Sequence, residues 1–206
     1  MSNQVNVIKL AIFGQTGSGK TSLSNILFGL NWQTDNAVSC TQEVHQHEGK
    51  LALFSNRTSN LTWQLLDTPG VGESEVADEE HFQSVYSAFH STDVILWVVQ
   101  ADTRAFAEDQ KAILKLTDDL QKLPNAHFVL ALNQIDRIYP EDWDEDKNVP
   151  SHEQFSLIPE KINLVYERFH PYIPVCRQDI LPCSVLKNYG LQNLVNILSN
   201  YQQQES

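Results

Sequence analysis

Cysteine is scarce in this chain. The three present, Cys40, Cys176 and Cys183, form no C-x-x-C pair and are too few for a disulfide framework, so a bridge-stapled fold is excluded and a reducing cytoplasm is expected. Each is read as a small buried apolar residue. Basic charge is also short, with 14 Lys and Arg against 26 Asp and Glu and a formal net charge of -12. Such a field repels phosphate backbones and anionic lipid, which argues against nucleic acid and membrane surfaces as general partners. Long hydrophobic runs are missing as well. The longest, Val94 to Val99, has six residues, whereas a membrane span needs about 20. Met1 to Lys9 lacks the charged stretch and apolar run of a leader, so neither a transmembrane segment nor a leader is expected.

What remains suffices for a core. A chain of 206 residues with 41% hydrophobic content sits near the size of one compact domain. We expect a single domain over 1–206 that ends in a short polar tail, 201–206. Val5 to Phe13 is β-branched and apolar and stops at a glycine; Leu23, Ile26, Leu27 and Leu30 follow at helical spacing. Val44 to Phe54 and Leu61 to Leu66 read as two strands joined by the polar segment Ser55 to Asn60. A polar helical stretch, Glu73 to His90, leads to the strand Val94 to Val99. A helix around Phe106, Ile113, Leu116 and Leu120 precedes a strand from His127 to Leu132. Ile162, Val165, Tyr166 and Phe169 mark another helix with Pro159 in its first turn. Ile180 to Ser184 is a last short strand, and Leu191, Leu194, Val195 and Leu198 form one face of a closing helix. Strands alternating with helices predict an α/β fold in three layers around a mainly parallel sheet. Ligands of such sheets bind at the carboxyl ends of the strands. Tyr139 to Pro150, with five acidic residues and two prolines, reads as a surface insertion.

Four segments carry chemistry, and each follows a predicted strand. Gly14-Gln15-Thr16-Gly17-Ser18-Gly19-Lys20-Thr21 fits G-x-x-x-x-G-K-[ST] between strand and helix. Glycines let successive N–H groups surround a β-phosphate, Lys20 offers a point charge to the β and γ oxygens, and the Thr21 hydroxyl suits Mg²⁺. With Ser22 these residues form the candidate phosphate cradle. Asp67-Thr68-Pro69-Gly70 places a carboxylate, Asp67, where it serves Mg²⁺, and a glycine whose N–H can meet a γ-phosphate. Asn133-Gln134-Ile135-Asp136 supplies an aspartate that accepts from guanine N1–H and the 2-amino group, donors that adenine does not present together. Ser184-Val185-Leu186 completes the pocket, with the Val185 N–H directed to guanine O6.

In this order the four segments resemble those of the TRAFAC-class P-loop GTPases, most closely the Era-like group, over roughly Val5 to Leu198. Gly29, the run Cys40-Thr41-Gln42-Glu43 and the run Ala101 to Ala105 look like a little-characterised bacterial branch of that group. The resemblance implies a G domain, GTP and GDP with Mg²⁺ as cofactors, and a switch threonine on metal and γ-phosphate. Thr41, 21 residues after Lys20, fills that role, with Thr34 as the weaker candidate. Lys20, Thr41 and Gly70 would then serve hydrolysis, and Thr21, Thr41 and Asp67 the metal. Three positions depart from the pattern. Gln134 stands where the family's N-K-x-D motif has lysine, which removes a cation and shortens the stem over the base, so weaker nucleotide binding is expected. Val71 follows Gly70 where Ras-like proteins carry the water-orienting glutamine, and Gly17 replaces the asparagine of potassium-activated members. Slow intrinsic hydrolysis follows, raised by a protein activator or by a second copy meeting the nucleotide face. The competing reading is a nucleotide-dependent binding or assembly module with negligible hydrolysis; an ATP-using enzyme would leave Asn133 to Asp136 unexplained. Era's ribosomal RNA binding is not carried over, given the acidic charge and the short stretch after the closing helix.

Other residues receive weaker readings. His45 and His47 share a strand face with no third metal ligand in reach and are taken as solvated. Arg104 and Arg57 are arginine-finger candidates, the latter more readily a surface residue. The acidic run Glu73 to Glu80 is equally a mobile switch read by a basic partner or a solvated helix start.

Overall fold

The computed structural model describes residues 7–34, 44–52, 61–70 and 79–200. Strands β1 (Val7–Phe13), β2 (His45–Gly49), β3 (Thr62–Asp67), β4 (Val94–Gln100), β5 (His127–Asn133) and β6 (Ile180–Pro182) alternate with helices α1 (Lys20–Phe28), α2 (Glu79–His90), α3 (Ala107–Leu116), α4 (His152–Phe169) and α5 (Leu191–Asn200), save that β2 and β3 adjoin. They form one six-stranded sheet in the order β2-β3-β1-β4-β5-β6. Only β2 runs antiparallel to its neighbour, so the expected mainly parallel α/β sheet is the fold.

The period-2 alternation of each inner strand divides the core. Phe13, Ile95, Trp97, Val99, Phe128, Leu130 and Leu132 face one layer, with Phe89 of α2, Ile113 of α3, and Val165 and Phe169 of α4. Leu10, Ile12, Leu96, Val98, Val129 and Ala131 face the other, against Leu23 and Leu27 of α1 and Leu191, Leu194 and Leu198 of α5. Both faces of β1, β4 and β5 are therefore covered, which is why these strands read as continuous apolar runs. The carboxyl ends of β1, β3, β5 and β6 then lie along one edge, and each hands the chain directly to one of the four segments.

Several boundaries differ from the sequence reading. The strand expected over Val44 to Phe54 is ordered as β2 over His45–Gly49, and the Ser55 to Asn60 connection lies outside the described residues. His45 and His47 are half-buried and not solvated: His45 packs edge-on to Trp32 at 5.3 Å and His47 to Phe28 at 6.0 Å. α3 stops at Leu116, short of Leu120, because Asp118, Asp119 and Leu120 adopt φ of 48°, 54° and 67°. The Thr117 hydroxyl closes this end, donating to Ile113 O at 2.7 Å and accepting from Leu120 N at 3.1 Å. α4 begins at His152, so Pro159 is interior. Its start is set by a capping box: Gln154 N donates to Ser151 Oγ, and Ser151 N to Gln154 Oε1. Pro159 lies on the exposed face with Phe155, whose carbonyl it leaves without a helical donor. Of the two described cysteines only Cys183 is buried; Cys176 is exposed.

Candidate functional site

The phosphate loop is built against the strand beside it. Gly14, at φ 136°, backs onto the carbonyl of Val98, and any Cβ there would overlap it. Gly19, at φ 92°, lies against the Asn133 amide in the same way, so these glycines are required by both backbone conformation and close approach. Ser18 N donates to Gln15 O at 3.2 Å, and the buried Lys20 ammonium donates to the same carbonyl at 3.0 Å. Lys20, Thr21 and Ser22 open α1. The Gln15 side chain turns away from the loop and donates to Asp109 Oδ2 at 2.6 Å and Ala105 O at 2.8 Å. Asp109, on α3 and 2% exposed, also accepts from Trp97 Nε1 at 2.7 Å. Burial pushes the Asp109 carboxyl above the usual carboxylate range; the Trp97 and Gln15 donors and the Lys20 charge offset this in part. A buried carboxylate thus ties the loop to α3. Its sequence signal was its place in the apolar stripe Phe106, Ile113, Leu116, where a polar residue needs a partner.

Beside the loop, Thr68 locks the end of β3 to β1, its hydroxyl donating to Ile12 O at 2.6 Å. Asp67 is fully buried. Burial raises its pKa; the Thr21 hydroxyl, the Lys20 ammonium and His45, its partner across β2 and β3, pull it back only in part. Neither carboxylate oxygen has a well-formed hydrogen bond, so this buried group keeps hydrogen-bonding capacity that the protein leaves unfilled. Gly70 presses on Thr16, leaving no room for a Cβ. The Thr16 hydroxyl is also buried and unpartnered, a feature that the sequence reading missed.

On the base side, Asn133 bridges three segments. Its Nδ2 donates to Ser18 O at 2.8 Å and its Oδ1 accepts from Val185 N at 3.1 Å, so a guanine O6 would share or take over the Val185 donor. Gln134, in the left-handed conformation at φ 63°, reaches the phosphate loop and donates to Gly17 O at 2.9 Å. Arg137 Nη1 in turn donates to Gln134 Oε1 at 3.1 Å. The shorter stem therefore keeps a tether to the loop, and Arg137 brings a cation beside the position that lost one. Asp136 is half-exposed, but its Oδ1 is buried without a partner. Beneath it lies the Cys183 thiol, pushed up to about 12 by burial and by the Asp136 charge. Ser184 is buried at the end of β6, and Leu186 projects with 81% of its surface exposed.

The structure thus brings together Gly14 to Ser22, Asp67, Gly70, Asn133, Gln134, Asp136 and Ser184 to Leu186 along one edge of the sheet. Thr34 is exposed, and Thr41, Arg57, Val71 and residues 73–78 lie outside the described residues. Arg104 is exposed on the loop before α3. Among the described residues no group of three or more His, Cys, Asp or Glu would hold a metal ion.

The family described as 50S ribosome-binding GTPase matches residues 9–134 of the 206, more than half of the chain. The chain belongs to this GTPase family. The chain is 31% identical to the uncharacterized protein YfjP of Escherichia coli (strain K12) over 81% of its own length and 54% of YfjP. It is 27% identical to GTPase Era of Treponema pallidum (strain Nichols) over 91% of its length and 55% of Era. The chain spans about half the length of the curated relatives it matches. Among solved structures, Era in complex with MgGDPNP and nucleotides of 16S ribosomal RNA superposes with a TM-score of 0.69 at 23% identity, covering 96% of this chain and 57% of that chain. The Era-like resemblance stands, and the α/β P-loop GTPase fold is shared. Among the described residues no helix is long and apolar enough to cross a membrane.

Proposed function

We propose that this chain is a G domain that binds GTP and GDP with Mg²⁺ and hydrolyses GTP slowly. The observation that carries the reading is the pairing of two unsatisfied buried carboxylate sites at the ends of β3 and β5, Asp67 and Asp136 Oδ1. Both are costly to bury without a partner, and a magnesium–guanine nucleotide supplies one to each. Asp67, with the Thr21 hydroxyl beside it, fits a hard, oxygen-loving divalent ion and the waters it carries. When bound, Mg²⁺ would neutralise charge developing on the β and γ oxygens. Lys20, now directed at Gln15 O, would turn to those oxygens, and the Gly70 N–H would reach the γ-phosphate. Thr41 is proposed as the switch threonine on the metal. Asp136 would accept from guanine N1–H and N2, and Leu186 would lie over the base.

Residues 1–206 act as one nucleotide-binding unit in this proposal, with the segments around Thr41 and Gly70 changing between the GTP and GDP states. The partner is a protein activator or effector, or a second copy at the nucleotide face, in a reducing cytoplasm that suits the scarce cysteines. Phosphate release under single-turnover conditions tests the enzyme reading. A magnesium-dependent rate that rises with protein concentration supports activation by a second copy. No release above the solution background supports the alternative, a GTP-dependent binding module, which Val71 favours because it offers nothing to orient water.

A further inference from the structure

The acidic segment between β5 and α4 does more than fill surface. Residues 141–149 fold into a turn closed by the Asp144–Val149 bridge, next to a second closed by the Ser184–Tyr189 bridge. The two turns are tied side by side. Asn148 Nδ2 donates to Lys187 O at 2.9 Å, Lys187 Nζ pairs with Glu145 Oε1 at 2.5 Å, and the Trp143 ring meets Tyr189 edge-on at 5.4 Å. Trp143, largely buried, is itself held by its Nε1 donating to Asn148 Oδ1 at 3.1 Å.

The other end of the segment grips the other half of the base pocket. Ser151 Oγ donates to Asp142 at 2.5 Å and accepts from Gln154 N. The fully buried Gln154 then donates through Nε2 to Asp136 O at 3.0 Å and Ile138 O at 2.9 Å. One stretch of chain therefore fastens the backbone of Asp136 and the backbone of Lys187, each beside a group assigned to guanine. Backbone ties of this kind fix where Asp136 and Val185 stand relative to one another, and base recognition depends on that spacing.

We propose that residues 141–154 form a bracket that holds the two guanine-reading loops in register and sets the rate of nucleotide release. This rests on the guanine pocket proposed above, and Asn148, Glu145 and Gln154 act in it as positioning residues. Asn148→Asp separates the parts: its carboxylate still accepts from Trp143 Nε1, but it presents an anion to Lys187 O in place of a donor. Asn148 has φ 52°, so Asn148→Gly removes the side chain without straining the turn.

The test is stopped-flow release of a fluorescent methylanthraniloyl-GDP from the full chain, with competition between GDP and ADP and thermal unfolding of nucleotide-free protein alongside. The bracket predicts release about fivefold faster or more in Asn148→Asp and Asn148→Gly, a smaller rise in Glu145→Gln, and a narrowed preference for GDP over ADP. The unfolding temperatures of nucleotide-free Asn148→Asp and Glu145→Gln should stay near the parent's, because the Asp variant keeps an acceptor for Trp143 Nε1 and Glu145 is exposed; Asn148→Gly, which leaves that donor without its acceptor, should melt lower. Unchanged release in both Asn148 variants overturns the bracket. Faster release with an unchanged GDP-to-ADP preference also overturns it, since a general loosening does not act through the base. If the parent itself shows no preference for GDP, the guanine pocket fails first, and the two failures are distinguishable.

Discussion

Asp109 gives the sharpest mutational test of how the phosphate loop is held. In Asp109→Ala, Trp97 Nε1 loses its acceptor in a fully buried site and Gln15 loses one of its two. Gln15 keeps Ala105 O and is half-exposed, so the cost falls on Trp97, about 1 to 3 kcal/mol for a buried donor left unmade. Removing a carboxylate that burial disfavours offsets part of that, which leaves a net loss of about 1 to 2 kcal/mol. For a domain of this length the melting temperature should fall by about 2 to 8 °C. Asp109→Asn keeps the bond to Trp97 but sets an NH₂ group against the Gln15 NH₂. Its melting temperature should fall less than that of the alanine variant, while GDP release quickens because the loop loses its tie to α3. The pH dependence has a definite sign. The folded-state pKa of Asp109 lies above its ordinary 3.8, so below that folded value the native state binds more protons than the unfolded one, and stability rises as pH falls toward about 3.8. The parent should therefore gain on Asp109→Asn as pH is lowered from about 7 to about 4 in thermal scans. An Asp109→Ala variant as stable as the parent, with unchanged GDP release, would refute the anchoring role.

Three further outcomes follow from the same site. Asp136→Asn should weaken GDP by about 2 to 4 kcal/mol in calorimetry and shift preference to xanthine nucleotides, whose 2-carbonyl accepts from the new amide; parent-like GDP binding would remove Asp136 from the pocket. Isolated protein should release phosphate from GTP at about 3 to 5 × 10⁻⁴ s⁻¹ or slower, as Ras-like proteins do without an arginine finger. Exchanging sodium for potassium should not change that rate, and a large potassium-specific acceleration would sink the argument from Gly17. Cys183, with its thiol pushed up to about 12, should resist iodoacetamide in the native protein while the exposed Cys176 is alkylated, as read by peptide mass spectrometry; prompt labelling of Cys183 would contradict its burial.

The sheet and the placing of four loops on one edge were legible because inner strands covered on both faces read as apolar runs that end at glycine or polar turns. Helix ends were less legible. The start of α4 lay in Ser151 and Gln154, a capping box that the apolar periodicity beginning further on concealed, and the end of α3 depended on the Thr117 hydroxyl turning back on its own helix. The motifs named the residues of the candidate site but not what holds them. That Gln134 still reaches Gly17, that Asp109 accepts from the Trp97 and Gln15 side chains, and that Gln154 grips the backbone of Asp136 and Ile138 are tertiary contacts that the motifs do not name. His45 and His47 show the converse: a polar pattern on an edge strand became half-buried because Trp32 and Phe28 pack on it.

The proposed guanine-nucleotide site is the edge of the sheet formed by Gly14 to Ser22, Asp67, Asp136 and Ser184 to Leu186. Displacement of a fluorescent GTP analogue from the purified protein, in the presence of magnesium, by unlabelled GTP, GDP and ATP tests it most directly. GTP and GDP should displace it and ATP only at far higher concentration, with Asp136→Asn erasing the difference. Equal displacement by ATP and GTP, or no binding of either, would contradict it.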